Sequence, residues 1–127
     1  MPYLIDSDVL IDISRGNQAA GEYVDALPEG WAISQISALE LIVGARNHRD
    51  LADIDTFLSA YATVPLRGST GSRAYELLKR YAKSHGLHVF DSLVAAVAIE
   101  EDFTLVTKNR KHFGMIDGLI LEIPQYR

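Results

Sequence analysis

The sequence lacks several features that would define a class of protein. It contains no cysteine, which excludes disulfides, thiolate metal sites and cysteine nucleophiles. No apolar run approaches the roughly 20 residues that a membrane-spanning helix needs. The N-terminus has no basic segment and reaches Asp6 almost at once, so we expect no signal peptide. These absences favour a cytoplasmic location.

An excess of basic residues is also absent. The net charge is −5, which argues against a protein that coats nucleic acid non-specifically. Residues 1–66 carry three basic and ten acidic side chains, whereas residues 67–111 carry eight basic and five acidic ones. The basic residues of the second segment, such as Lys79, Arg80 and Lys83, form either the solvated face of a helix or a basic strip beside an acidic centre.

The composition indicates one globular domain over residues 1–127. Hydrophobic residues make up 48% of the chain and charged residues 23%, and no repeat or linker interrupts it. Short apolar stretches alternate with helical patterns, which predicts a parallel sheet in a three-layer α/β fold, covered by helices on both faces. The predicted strands are Tyr3–Ile5, Trp31–Ser34, Thr63–Leu66, Thr104–Thr107 and Leu119–Ile123, and the predicted helices cover 8–15, 18–27, 37–47, 50–61, 70–84 and 91–101, with a short turn at 109–113.

Two carboxylates follow the first predicted strand. In open α/β sheets the ligands bind outside the carboxyl ends of the strands, which Asp6 and Asp8 can reach. Asp6 could simply cap the following helix, and Asp8 could pair with the helix dipole. Two carboxylates within three positions beside a buried strand favour a functional role for Asp6. Asp12 has Arg15 three residues later and is interpreted as a surface residue.

Two further carboxylates have both a structural and a functional interpretation. Ser37 and Glu40 have the spacing of a helix capping box, yet Glu40 also shares a polar stripe with Gly44 and Asn47 that suits the wall of a cleft. Asp91 precedes a helix that is apolar on every side. It could cap that helix, but a carboxylate buried there needs a cation.

Thr107 and Asn109 follow the fourth predicted strand. They could be an ordinary strand end and helix cap, or part of the same site. Asp6, Glu40 and Asp91 would then share one location at the carboxyl edge of the sheet. Oxygen ligands without cysteine suit Mg²⁺ or Mn²⁺, and the chemistry of such a site is phosphate ester hydrolysis.

Four stretches of the sequence together resemble the PIN-domain nucleases, specifically the VapC-type toxins. They are DSDVLID, SALELIVGA, FDSLVAAVAIEEDFTLVTKN and the closing His112-Phe113, and their order and spacing match over nearly the whole chain. The resemblance implies a five-stranded parallel sheet in the order 3-2-1-4-5. It also implies a Mg²⁺- or Mn²⁺-dependent endoribonuclease, usually dimeric, acting on tRNA or another structured RNA. A metal-activated water would attack in line and leave a 5′-phosphate and a 3′-hydroxyl.

The same resemblance assigns roles to individual residues. Asp6, Glu40 and Asp91 match the acidic triad that holds the metal. Asp8 would add a ligand or orient the others. Asn109 and His112 stand where the family often has acidic residues, which favours one ion over a pair.

Other residues would contact the substrate or support the site. Thr107 matches a supporting hydroxyl, and Asn109 would orient ligands. Arg46, Lys108 and Arg110 are candidates for contact with RNA phosphates. A cognate VapB-like antitoxin would cover the acidic crevice with an arginine.

Two alternatives stay open. The Asp6-x-Asp8 pattern also resembles the opening of haloacid-dehalogenase-type phosphatases, but Val9-Leu10 replaces the usual Gly-Thr pair and the chain is short for that fold. The chain could also be a non-catalytic PIN-like binding module, which the intact acidic set argues against. His85 and His88 flank Gly86, which breaks the helical spacing, so they are interpreted as surface or loop residues rather than as a metal site.

Overall fold

Five short strands form one sheet in the computed structural model, which describes residues 2–126 of the chain. The strands are β1 (Tyr3–Ile5), β2 (Trp31–Ser34), β3 (Thr63–Val64), β4 (Thr104–Val106) and β5 (Ile120–Glu122). The described strands pair in parallel, in the order β3-β2-β1-β4-β5. The predicted α/β fold and strand order are therefore confirmed.

Helices connect the strands, in pairs between β1 and β4. They are α1 (Ser7–Ser14), α2 (Gln18–Asp25), α3 (Gln35–Val43), α4 (His48–Ser59), α5 (Gly68–His85), α6 (Val89–Glu100) and the short α7 (Arg110–Phe113). α6 is the buried helix that its apolar sequence predicts, because every residue from Val94 to Ala98 is buried. Within residues 2–126, no helix combines the length and apolar character needed to cross a membrane.

Two hydrophobic clusters cover the two faces of the sheet. Successive residues of a strand point to opposite faces. Accordingly, Leu4 and Leu105 belong to a cluster with α5 and α6, whereas Ile5 and Val106 belong to a cluster with α1 to α4. All four side chains are fully buried, and each contributes about 2 kcal/mol to folding by leaving water. The burial of these side chains stabilises β1 and β4, whose carboxyl ends carry Asp6 and Thr107.

Several helices begin one or two residues earlier than the sequence predicts, and in α3 and α6 this changes the roles of two acidic residues. α3 begins at Gln35 because Ser34, at the end of β2, is already its N-cap and accepts a hydrogen bond from the Ser37 backbone N–H at 3.0 Å. Of the two interpretations of Glu40, the capping box with Ser37 is therefore wrong, and Glu40 lies in the middle of the helix. α6 has His88 as its N-cap, so Asp91 is in its first turn and does not cap it.

Candidate active site

Asp6 lies directly after β1 and joins the ends of two neighbouring strands. Its Oδ1 accepts a hydrogen bond from the Ser7 backbone N–H at 2.8 Å, so it caps α1 as one interpretation of the sequence expected. Its Oδ2 accepts a second hydrogen bond from the Thr107 hydroxyl at 2.8 Å. Only 5% of Asp6 is exposed. The carboxylate is therefore both a helix cap and a buried group at the carboxyl edge of the sheet.

Thr107 is positioned by the register of the sheet. Ile5 pairs with Val106, which places the next residues, Asp6 and Thr107, side by side. The Thr107 hydroxyl accepts a hydrogen bond from the Asn109 backbone N–H at 3.1 Å and lies 3.4 Å from Asp8 Oδ2. Thr107 is fully buried. Its hydroxyl thus connects two acidic residues to the loop that begins α7.

The two carboxylate oxygens of Asp8 differ in their hydrogen bonding. The Lys108 backbone N–H donates to Asp8 Oδ2 at 3.0 Å. Asp8 Oδ1 is buried and has no hydrogen-bond partner within residues 2–126. A buried oxygen without a partner is energetically unfavourable, with a penalty of about 1–3 kcal/mol. A positively charged or hydrogen-bonding group beside this atom would remove that penalty.

Glu40 and Asp91 reach the same region from α3 and α6. Both side chains are half-buried. Asp91 Oδ2 lies 3.3 Å from His112 Nδ1, and the rings of His112 and His88 are 6.2 Å apart. That these two histidines flank Asp91 was not expected from the sequence. The sequence signal that could have placed His88 near Asp91 is Gly86. This glycine ends α5 with a φ of 70°, and α6 then begins directly after His88, its N-cap.

The four acidic residues influence one another electrostatically. Burial, and then the charge of Asp8, raises the pKa of Asp6 from 3.8 to about 7, although the hydrogen bond from Thr107 opposes this increase. Burial also raises the pKa of Asp8, against the Lys108 backbone N–H. Burial and then the charge of Asp91 raise the pKa of Glu40. Burial raises the pKa of Asp91, while His112 and His88 lower it. These four carboxylates therefore form one coupled group.

The donor chemistry of this group fits a hard divalent cation. Among residues 2–126, no three His, Cys, Asp or Glu side chains already stand in a metal-binding arrangement. The carboxylates nevertheless destabilise one another's charged forms, and Asp8 Oδ1 has no hydrogen-bond partner in the described part of the chain. Carboxylate oxygens are the usual ligands of Mg²⁺ and Mn²⁺. A cation would relieve both the mutual repulsion and the unpaired oxygen.

The three candidate cations for phosphate contact lie in different surroundings. Arg46 is ion-paired with Asp50 at 3.3 Å on the exposed side of a separate cleft. Lys108 donates from Nζ to Asp12 Oδ2 at 2.6 Å, so Asp12 pairs with Lys108 and not with Arg15. Arg110 is the first residue of α7 and is exposed. In this arrangement Arg110 is the candidate whose charge is most available to a ligand.

An apolar groove of about 480 Å³ borders the acidic group. Glu40 lines it together with Ile36, Gly44, Leu39, Val43 and Phe90. The last three are large apolar side chains that are more than half exposed, with Val43 at 85%. Exposed apolar side chains that adjoin each other in this way are typical of an interaction surface.

Comparisons with known proteins agree with this fold. The PIN domain family matches residues 3–119. Ribonuclease VapC10 of Mycobacterium tuberculosis is 37% identical over 119 residues, covering 91% of this chain and 89% of its own. Ribonuclease VapC19 of the same species is 34% identical over 120 residues, with 91% and 95% covered. The structure of VapBC2 from Rickettsia felis, bound to a DNA fragment from its promoter, superposes with a TM-score of 0.83 at 27% identity, covering 96% of this chain and 98% of that one. With its sheet order, its acidic edge and these relatives, the chain belongs to the PIN-domain family.

Proposed function

We propose that the chain is an endoribonuclease that hydrolyses RNA phosphodiester bonds and is the toxin of a VapBC-type pair. The proposal is supported by the relatives named Ribonuclease VapC, which match 91% of this chain. The observation that carries the proposal is the coupled acidic group of Asp6, Asp8, Glu40 and Asp91 at the carboxyl edge of the sheet. The phosphatase alternative receives no support, because Val9 and Leu10 are fully buried core residues of α1.

The acidic group would hold Mg²⁺ or Mn²⁺ through Asp6, Glu40 and Asp91, with Asp8 Oδ1 as a further ligand. A bound divalent ion supplies Lewis-acid chemistry to phosphate ester hydrolysis. Thr107 holds the Asp6 carboxylate, and the Lys108 backbone N–H holds Asp8 Oδ2. These contacts orient the carboxylates before a ligand arrives.

One ion is proposed in place of two. His112, 3.3 Å from Asp91, adds positive charge beside the acidic group whenever it is protonated. Asn109, the N-cap residue of α7, brings a neutral amide to the same edge. With His112 and Asn109 in place of acidic residues, the site carries less negative charge than a second divalent ion would require.

RNA would reach the acidic group along its basic border. Arg110 is exposed at the start of α7, next to the loop that holds Asp6 and Asp8. It is the proposed phosphate contact, whereas the other two candidates, Lys108 and Arg46, are each already ion-paired with an acidic residue. The substrate is RNA, with tRNA or another structured RNA as the candidate, and the protein acts as a homodimer in the cytoplasm.

The apolar groove beside Glu40 is the proposed docking surface for a VapB-like antitoxin. A segment that fits must bring apolar side chains to Leu39, Val43 and Phe90, and an arginine to the adjoining carboxylates. The similar structure from Rickettsia felis is itself a VapBC assembly. Such a segment would inhibit cleavage by occupying the acidic crevice directly.

Removal of the metal tests the proposed reaction. We expect the purified chain to cleave structured RNA with Mg²⁺ or Mn²⁺ and to leave 5′-phosphate ends. A chelator, or the substitution Glu40→Gln, should lower this activity at least about 100-fold, because the loss of an outer contact of a metal site alone lowers activity about 10- to 100-fold. The matched control is Glu22→Gln on the exposed side of α2, which should cleave like the wild type. Cleavage that is unchanged by the chelator and by Glu40→Gln would contradict the proposal.

A further inference from the structure

The C-terminal segment folds back onto α1 and contacts the loop beside the acidic group. Asp12 Oδ2 accepts a hydrogen bond from the Tyr126 hydroxyl at 2.6 Å and another from Lys108 Nζ, also at 2.6 Å. We name these three residues the Asp12 clamp, in which Asp12 is 96 positions from Lys108 and 114 from Tyr126 along the chain. One carboxylate oxygen therefore ties the C-terminal segment, α1 and the loop after β4 together.

The Asp12 clamp is continuous with the candidate active site through Lys108. The side chain of Lys108 binds Asp12, while its backbone N–H donates to Asp8 Oδ2 at 3.0 Å. Asp8 and Asp12 are four residues apart and lie on the same face of α1. The preceding residue, Thr107, donates its hydroxyl to Asp6. The clamp thus fixes the loop that supplies both hydrogen bonds to the acidic group.

Aromatic packing holds Tyr126 in place for this contact. Its ring lies 6.1 Å from the ring of Tyr23, and it packs against the hydrophobic cluster that contains Val106. The Lys108 ammonium group is 6.0 Å from the centre of the Tyr126 ring. Side-chain exposure is 44% for Lys108 and 24% for Asp12. A single ion pair this exposed contributes little to stability, so the value of the clamp lies in the geometry it imposes.

We propose that Asp12 and Tyr126 are positioning residues for the acidic group and act through Lys108. The inference rests on the proposed function, because it assigns them to the same metal-dependent reaction. It gives Lys108 a role through its backbone N–H, whereas its ammonium group is occupied by Asp12 and does not contact RNA phosphate. Loosening the clamp should therefore weaken metal binding and turnover and leave RNA binding unchanged.

The test compares three substitutions that each change one polar group. Asp12→Asn removes the charge that holds Lys108, and Tyr126→Phe removes a hydroxyl but keeps the ring. Tyr23→Phe is the matched control, because Tyr23 donates to a different carboxylate, Glu122, and keeps its ring beside Tyr126. Titration with Mn²⁺ alone, followed by calorimetry, should show affinity about 10-fold weaker for Asp12→Asn, as for outer contacts of metal sites. Tyr126→Phe should weaken it about 3-fold, as expected for one hydrogen bond, and Tyr23→Phe should not change it.

Kinetics and hydrogen exchange complete the test. With RNA, kcat should fall in parallel with Mn²⁺ affinity in the first two variants while KM stays constant, and Lys108→Arg should retain more activity than Lys108→Met. Exchange of the Lys108 backbone N–H should be faster in Asp12→Asn than in the wild type, at equal melting temperature. Wild-type affinity and exchange in Asp12→Asn, or an equal loss in Tyr23→Phe, would overturn the inference.

The exchange measurement also separates this inference from the proposed function. If the wild type binds no Mn²⁺ and cleaves no RNA, the proposed function fails. Faster Lys108 exchange in Asp12→Asn would still support the positioning of the loop by the clamp, and unchanged exchange would refute it.

Discussion

Replacing Asp6 by Asn should make the metal-free protein more stable at neutral pH, although Asp6 caps a helix. The carboxyl group is buried beside Asp8, and its pKa is raised from 3.8 to about 7. A group whose pKa is raised by folding stabilises the native state fully only below its unfolded value. This stability is lost as the pH rises towards the folded value. Above pH 7 the native protein must therefore hold an unfavourable charge at this position.

The size of the effect follows from the two pKa values. The interval from 3.8 to about 7, at 1.36 kcal/mol per pH unit, gives an upper bound of about 4 kcal/mol at pH 8. Asn caps helices about as well as Asp, but it loses one acceptor for the Thr107 hydroxyl, which costs about 1–2 kcal/mol. The net gain is about 2 kcal/mol, or a rise in Tm of about 8 °C for a domain of this size. At pH 5 the gain and the loss nearly cancel, because the electrostatic part has fallen to about 1.6 kcal/mol.

The assay is thermal unfolding in the presence of a chelator at pH 5 and pH 8, followed by circular dichroism. The wild type and Asp6→Asn should melt at similar temperatures at pH 5 and diverge at pH 8, with the variant more stable. The matched control is Asp55→Asn on the exposed side of α4, which should change stability by less than about 0.5 kcal/mol at both pH values. Adding Mn²⁺ at pH 8 should raise the Tm of the wild type and not that of Asp6→Asn.

Either of two results would refute this reasoning. A difference between wild type and Asp6→Asn that is the same at pH 5 and pH 8 would mean that the Asp6 carboxylate is not strained by its surroundings. A variant less stable than the wild type at pH 8 would mean that its hydrogen bonds outweigh the electrostatic penalty.

Two further substitutions test the contacts around the site. Thr107→Val should lower the free energy of unfolding by about 1–3 kcal/mol and kcat by at least about 10-fold, because it removes the hydroxyl that donates to Asp6. Thr107→Ser keeps the hydroxyl and should retain both stability and kcat, so equal losses in the two variants would contradict this role. Val43→Glu should weaken binding of the cognate antitoxin at least 10-fold in a pull-down titration and change Tm little, because Val43 is exposed. Ala52→Glu on the exposed side of α4 is the control, and unimpaired binding of Val43→Glu would remove the groove as the docking surface.

The fold could be predicted from local patterns because each strand is a short apolar stretch between polar residues. The limits of the strands were less predictable where tertiary contacts decide them. β3 stops at Val64, two residues before the predicted end, since Pro65 has no N–H for the ladder. β4 stops at Val106, one residue before its predicted end, although the Thr107 backbone N–H still donates to the Glu122 carbonyl at 3.2 Å while its hydroxyl binds Asp6.

The candidate site was predictable only in part. Asp6 follows a strand, and the rule that ligands bind at the carboxyl edge was enough to select it. The partners of charged side chains were not predictable, because periodicity compares only neighbours on one helix. It suggested Arg15 for Asp12, whereas the fold brings Lys108 and Tyr126 there from distant parts of the chain.

The fold holds the carboxylates of the acidic group close together, although their charges repel one another. The register of β1 and β4 places Asp6 beside Thr107, and the Lys108 backbone N–H holds Asp8 in the same crevice by a hydrogen bond. The two carboxylates therefore repel each other at the carboxyl edge of the sheet. A binding partner with positive charge relieves this repulsion, whether it is a divalent ion or an arginine of an antitoxin. In the proposed function, a divalent ion and an antitoxin arginine would both stabilise the folded state by the same electrostatic route, and occupation by one would reduce the charge that attracts the other. The proposed function therefore predicts that metal and antitoxin compete for these carboxylates.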